Sequence, residues 1–203
     1  MQTEQTNSVN QNSQRKGRAV FLMMLTFFVV PIIAVVLMFK FDFKPGGESR
    51  GELIVPPRLI QAADTLINSD GQNSSHFWVE KWNMVYVADT CEASCMAKLR
   101  DMRQIHVSMY KDIPRTQRVL ITHMQDIAAI KKDFPDLTII NQPTTDISTL
   151  SQQFNIGNEA AMQSNRLYLV DPLGHIMMSY PSDIAATDIR KDLARLLRYS
   201  WAA

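Results

Sequence analysis

Apolar positions along this chain fall into two regimes. Ala19 to Phe39 is 21 residues without a charge, and at 1.5 Å per residue a helix of that length crosses a hydrocarbon core of about 30 Å. Beyond it, apolar residues come in short runs and periodic stretches. Met84-Val-Tyr-Val-Ala88, rich in β-branched and aromatic residues and stopped by Asp89 and Thr90, reads as a buried strand. From Glu92 to Tyr110, Cys95, Leu99, Met102, Ile105 and Met109 recur at helical spacing with neither Gly nor Pro before Pro114, which predicts a helix. Val119–Thr122 is a second strand ending at His123, Gln125–Lys132 a short helix, Leu137–Asn141 a third strand, and Ile147–Phe154 another helix. Leu167–Val170, Asp171-Pro-Leu-Gly174 and Ile176–Tyr180 spell strand, turn, strand. Ala186–Tyr199 closes the chain as an amphipathic helix with Ile189, Leu193, Leu196 and Leu197 on one face.

Upstream, Glu52–Leu59 contains Pro56 and Pro57, so it is an edge strand or an extended segment and not a central one. Asp70–Ser75 reads as a turn and His76–Glu80 as a short strand. Alternation of strands and helices makes an α/β domain, a central mixed sheet with flanking helices, to which the final hairpin adds an antiparallel edge.

The polar pattern divides the rest. Residues 1–14 are almost all Gln, Asn, Ser and Thr, too polar to bury a core, so residues 1–18 are expected to be a disordered tail. The apolar span 19–39 exceeds the usual signal-peptide core of about 7–15 residues. Phe39-Lys-Phe-Asp-Phe-Lys44 offers no small-residue cleavage site, so the span reads as a retained anchor. Residues 40–51 are a Gly-rich linker, and 52–203 the folded domain. Arg15, Lys16 and Arg18 precede the span without an acid beside them, whereas Lys40, Lys44 and Arg50 are interleaved with Asp42 and Glu48. That asymmetry places the N-terminus in the cytoplasm and residues 45–203 outside it, in the periplasm if the membrane is a bacterial inner membrane.

Charge adds one exclusion. The chain is formally +1. Residues 1–44 hold five Lys/Arg and two Asp/Glu, which leaves 16 basic and 18 acidic residues beyond them, a balance of −2. Nothing there suggests nucleic acid.

The candidate chemistry lies at one turn. Both cysteines of the chain, Cys91 and Cys95, fall between the first core strand and its helix, where backbone N–H groups and the helix dipole favour a thiolate. The pair fits a disulfide, which needs Cα atoms about 4.4–6.8 Å apart. As two thiolates it equally suits Cu(I), normally with a third ligand. His123 is the local candidate for that ligand, because it ends the second strand at the edge where open α/β sheets place their sites. His106 lies eleven residues past Cys95 on the same helix, about 16 Å along the axis, and is excluded. Met162 has a thioether but sits in a loop, and zinc lacks a second cysteine pair. Of the twelve methionines, Met23, Met24 and Met38 fall in the span, and Met84, Met102, Met109, Met177 and Met178 fall at core or strand positions. His76 and His175 read as solvated loop residues. A purely structural bridge is the plainest alternative for the cysteines.

A strand, a Cys-x-x-x-Cys turn, a helix, and a late Tyr168-Leu-Val-Asp-Pro172 hairpin behind a membrane anchor resemble the SCO/SenC proteins, thioredoxin-fold assembly factors of cytochrome c oxidase. The resemblance spans roughly Trp78–Tyr199. It implies a thioredoxin-like fold, Cys91 and Cys95 as redox or copper-binding residues, and service to the dinuclear copper site of an oxidase subunit. The sequence departs from that family in three places: Glu92 and Met96 follow the cysteines where prolines are usual, Gln163 stands at the family histidine's place, and the Asp-Pro-x-x-Asp-Thr-Pro segment is missing. Gly157–Arg166 also lacks the proline that thioredoxin-type oxidoreductases carry there. The expectation is therefore a membrane-anchored thiol–disulfide factor serving oxidase maturation, with the cytoplasmic membrane and an oxidase subunit or other assembly factors as partners. A Cu(I) metallochaperone using His123 and a redox-inactive interaction domain are the alternatives.

Overall fold

The computed structural model describes residues 4–41, 49–61, 77–141 and 146–200. The chain divides into two compact units after Glu48. The first holds helix α1, Glu4–Lys40, 37 residues with Pro31 inside. Within it, Gly17–Met38 is the one stretch among the described residues long and apolar enough to cross a membrane. Residues 17–37 are exposed, and the Thr26 hydroxyl donates to the Leu22 carbonyl at 2.8 Å, which satisfies that polar side chain within the helix. The helix begins well before the span, inside the segment whose composition suggests a tail. Propagating an already nucleated helix costs far less than starting one.

The second unit runs from Ser49 and is built on one six-stranded sheet. Its elements are β1 Glu52–Leu59, β2 Trp82–Val87, α2 Ala93–Val107, β3 Thr116–Ile121, α3 Ala128–Asp133, β4 Thr138–Ile140, α4 Ile147–Gln152, α5 Ala161–Ser164, β5 Leu167–Val170, β6 His175–Tyr180 and α6 Ala186–Tyr199. Strand order is β1-β6-β5-β2-β3-β4. β2 and β3 are parallel with Val87 opposite Ile121, β3 and β4 are parallel, and β2 pairs β5 antiparallel. Every residue of β2 is buried, as expected of a strand covered on both faces.

Side-chain alternation divides the core between two layers. Met84, Tyr86, Leu120, Leu167 and Leu169 meet α2 and α6 through Leu99, Met102, Ile189 and Leu193. Val85, Val87, Val119, Ile121 and Tyr168 face the other way, against Ile147, Leu150 and Phe154. The buried face of α2, Cys95, Leu99, Met102 and Ile105, follows the predicted periodicity.

Four expectations change. The hairpin β5–β6 is interior, because β1 pairs with β6 and takes the edge. That pairing joins Glu52 to Ser179 across the whole domain, and no local pattern signals it. Phe77–Glu80 forms a turn carrying one isolated bridge, Val79 to Leu173, in place of a strand; His76 and Asp70–Ser75 lie outside the described residues. α3 starts at Ala128, since 124–127 are spent on the site's loop. The long helix ends at Val107 and passes into a 3-10 turn, Tyr110–Arg115, that absorbs Pro114.

The folded unit also starts earlier than residue 52. Ser49 Oγ and the Arg50 amide donate to the Asp192 carboxylate on α6 at 2.7 and 3.0 Å, and Tyr180 donates to it at 3.3 Å. Burial and then the Asp192 charge push the Tyr180 phenol far above its usual value, so it stays a donor. Gly51 sits where an added Cβ would come within 2.7 Å of Met178 and Tyr180 side-chain atoms.

Candidate functional site

The parallel strands β2, β3 and β4 end at the same edge of the sheet, and the site is assembled there. The Ala88 amide donates to the Ile121 carbonyl at 3.0 Å and the Thr122 amide to Ile140 at 3.1 Å, so the ladders continue one residue past the strands. β2 then releases the chain into Asp89–Glu92 and α2 begins at Ala93.

Cys91 and Cys95 are bridged by a disulfide with a Cα separation of 4.9 Å, within the range such bonds require. The two sulfurs have different surroundings. Cys95 is 2 % exposed and part of the core beneath the first turn of α2. Cys91, before the helix, is partly exposed. The N-cap residue Glu92 makes no side-chain capping bond and the first turn of α2 holds no acidic residue. Its amides are therefore available to stabilise negative charge on sulfur once the bridge is opened.

Thr122 ties this turn to the next loop. Its side chain is fully buried; the hydroxyl donates to the Asp89 carbonyl at 3.2 Å and accepts from the Met124 amide at 3.2 Å. The Met124 carbonyl in turn accepts from Asn141 Nδ2 at 2.9 Å. With its backbone held at both ends, Met124 directs its thioether at the cysteine turn, where the Cys91 amide donates to Sδ at 3.0 Å. Met124, Met96, Ile127 and Cys91, each partly buried, pack against the α2-side core.

His123 points elsewhere. Its Nδ1 lies 2.8 Å from Asp89 Oδ1, its Nε2 lies 3.4 Å from Ser148 Oγ on α4, and it is exposed. Asp146, at the N-cap of α4, accepts hydrogen bonds from the Thr149 hydroxyl and amide. Those bonds hold its carboxyl below the usual carboxylate range. The imidazole thus bridges the loop after β2 to the start of α4, while the thioether of its neighbour Met124 receives the Cys91 amide. Among the described residues, no group of three or more His, Cys, Asp or Glu side chains is arranged to hold a metal. Met162 lies in α5 against the opposite core layer, and His106 sits near the far end of α2 with Nε2 3.3 Å from the Thr116 carbonyl.

Sequence reasoning located both cysteines and missed Thr122 and Met124. A signal existed for the second: a thioether three residues past the last position of an apolar strand, at the sheet edge already assigned to the site.

Comparison with known proteins places this geometry. Residues 82–200 match a family model described as a transmembrane-like, thioredoxin-like C-terminal domain. No curated protein matches the sequence. Among solved structures, a copper-bound Sco protein of Arabidopsis thaliana is 15% identical with a TM-score of 0.55, covering 67% of this chain and 96% of that one. Copper-bound Sco1 of yeast is 13% identical with a TM-score of 0.56, covering 76% and 96%. BsSco, a Sco-family cytochrome c oxidase assembly protein in which a disulfide switch was identified, is 14% identical with a TM-score of 0.51, covering 72% and 94%. The fold is thus the thioredoxin-like fold of the Sco proteins.

Proposed function

This chain belongs to the family of transmembrane-like, thioredoxin-like C-terminal domains, and from that premise we propose that it is a membrane-anchored thiol–disulfide factor dedicated to maturing a copper site. The client is a cysteine pair of a respiratory oxidase subunit, reached from the periplasmic side of a bacterial inner membrane. The observation that carries this reading is the asymmetry of the bridge: Cys91 is reachable at the surface and Cys95 is buried under α2.

The chemistry follows from that asymmetry. In the reduced protein the Cys91 thiolate attacks one sulfur of the client's disulfide, forming a mixed disulfide and releasing the other client sulfur as a thiolate. Cys95 then attacks Cys91, closing the intramolecular bridge and releasing the second client thiol. The client gains two electrons and the protein loses two, ending in the bridged form described above. A buried Cys95 keeps client sulfur from being attacked at the wrong position, and the α2 amides lower the cost of thiolate formation. The Sco proteins named above support the choice of client, one through its disulfide switch and its place in oxidase assembly.

Substitution separates the two roles. With the reduced full chain in detergent and a peptide carrying a Cys-x-x-x-Cys disulfide, Cys95→Ser should accumulate a mixed disulfide visible as a mass adduct on Cys91. Cys91→Ser should form none. Equal adducts on either remaining cysteine would remove the attacker–resolver assignment and return the bridge to a structural role.

A second reading has its own support. Two soft sulfurs on one turn suit Cu(I) as cargo, and copper is bound by Sco proteins of this fold. In that reading the reduced pair carries copper to the client, and His123 is the ligand the sequence offers for the third position.

A further inference from the structure

Opening the Cys91–Cys95 bridge would leave two thiols at the start of α2, and an additional soft donor in contact with the Cys91 backbone is already in place. Met124 is partly exposed and, like Cys91, packs against the α2-side core. Its Sδ receives the Cys91 amide at 3.0 Å, so the thioether lies against the partly exposed cysteine of the pair. Its backbone is fixed from both sides by Thr122 and Asn141, and both of those side chains are buried. A donor held this way loses little conformational freedom on binding. His123, one residue earlier, has its two ring nitrogens against Asp89 and Ser148 and would give up those contacts to turn toward the cysteines.

We infer that Met124 supplies the third ligand of a three-sulfur Cu(I) site with Cys91 and Cys95. This rests on the copper-carrying reading above and replaces His123 in it. Softness argues the same way: two thiolates and a thioether are all donors that favour Cu(I) over the harder divalent ions. Loading needs the bridge reduced first; each thiol then gives up its proton as it binds the metal, whereas the thioether binds without releasing one. A thioether also makes the weakest bond of the three, which suits a cargo that must be handed on.

The test uses the full chain in detergent, reduced with a phosphine, and titrated with Cu(I) against a chromophoric Cu(I) chelator. Wild type should compete, and copper-edge X-ray absorption should count three sulfur neighbours. Met124→Leu, close in volume, should weaken binding at least about tenfold and drop the count to two sulfurs. Met124→His should restore affinity with one nitrogen and two sulfurs. His123→Ala should leave both readouts unchanged. Each variant is accepted as folded only if it re-forms the Cys91–Cys95 bridge on oxidation, a readout independent of copper. Full affinity and three sulfurs in Met124→Leu would overturn the assignment while leaving the carrier reading intact, as would a loss confined to His123→Ala. Failure of the wild type itself to compete would overturn both.

Discussion

Thr122 decides how well the site is pre-formed. It belongs to the apolar run that ends at the sheet edge, and in a sequence it looks like one more β-branched strand residue. In the fold, its hydroxyl serves Asp89 and Met124 at once, and its burial means water cannot substitute. Thr122→Val keeps the shape and removes both hydrogen bonds, leaving the Asp89 carbonyl and the Met124 amide without that partner; the expected cost of the two bonds is about 1–3 kcal/mol. Chemical denaturation followed through the buried Trp78 and Trp82 measures it, with Thr122→Ser as the recovering control. A loss no greater than a few tenths of a kcal/mol would show that the hydroxyl does not hold the two loops together. The same residue illustrates what was legible at this scale. Cys91 and Cys95 declared themselves, because cysteine is rare in this chain and a strand-to-helix turn is a recognisable place for it. Met124 did not, since methionine is common here and its meaning comes from Cys91, 33 positions away. His123 was named for its strand-end position; its ring lies against Asp89 and Ser148, while the thioether of the next residue, Met124, receives the Cys91 amide.

At the level of elements, periodicity recovered what is locally encoded. The buried face of α2, the apolar run of β2 and the β5–β6 hairpin each follow from a window of a few residues. What periodicity lacked was the partner of each edge. β1 pairs with β6, and the Ser49–Gly51 strap in front of β1 is bound by Asp192 on α6, contacts more than 110 positions apart in sequence that only tertiary structure can make. Asp192 is buried, and the strap and Tyr180 are its hydrogen-bond partners. Asp192→Ala should therefore loosen the strap before it unfolds the sheet. Losing about 1–2 kcal/mol there is roughly a factor of 5–30 in the open population. The measurable consequence is faster tryptic cleavage after Arg50 under native conditions, with cleavage elsewhere in the domain unchanged. An unaltered rate at Arg50 would mean the strap is held by β1 pairing alone.

For the whole molecule, the proposed chemistry depends on which side of the membrane the folded unit occupies. A thiol–disulfide pair that ends each turnover bridged belongs in an oxidising compartment, whereas cytosolic reductants would keep it open irrespective of any client. α1 supplies the apolar stretch Gly17–Met38, and orientation rests on three basic residues, Arg15, Lys16 and Arg18, on its N-terminal side. Each side of the span carries three basic residues within a short distance, so the decision comes from proximity: the first three are packed within four positions and unaccompanied by acid, the later three spread over eleven and mixed with Asp42 and Glu48. Alkaline phosphatase fused after Arg50 should accordingly be active, because its own disulfides form only outside the cytoplasm, and a reporter that needs the cytoplasm should be silent at the same point. Changing Arg15, Lys16 and Arg18 to Gln should erode the difference between the two reporters. If the reporters give the reverse pattern, the folded unit faces a reducing compartment in which a client disulfide, the oxidant of the Cys91 and Cys95 pair, would not persist, and the thiol–disulfide cycle proposed for them has no substrate.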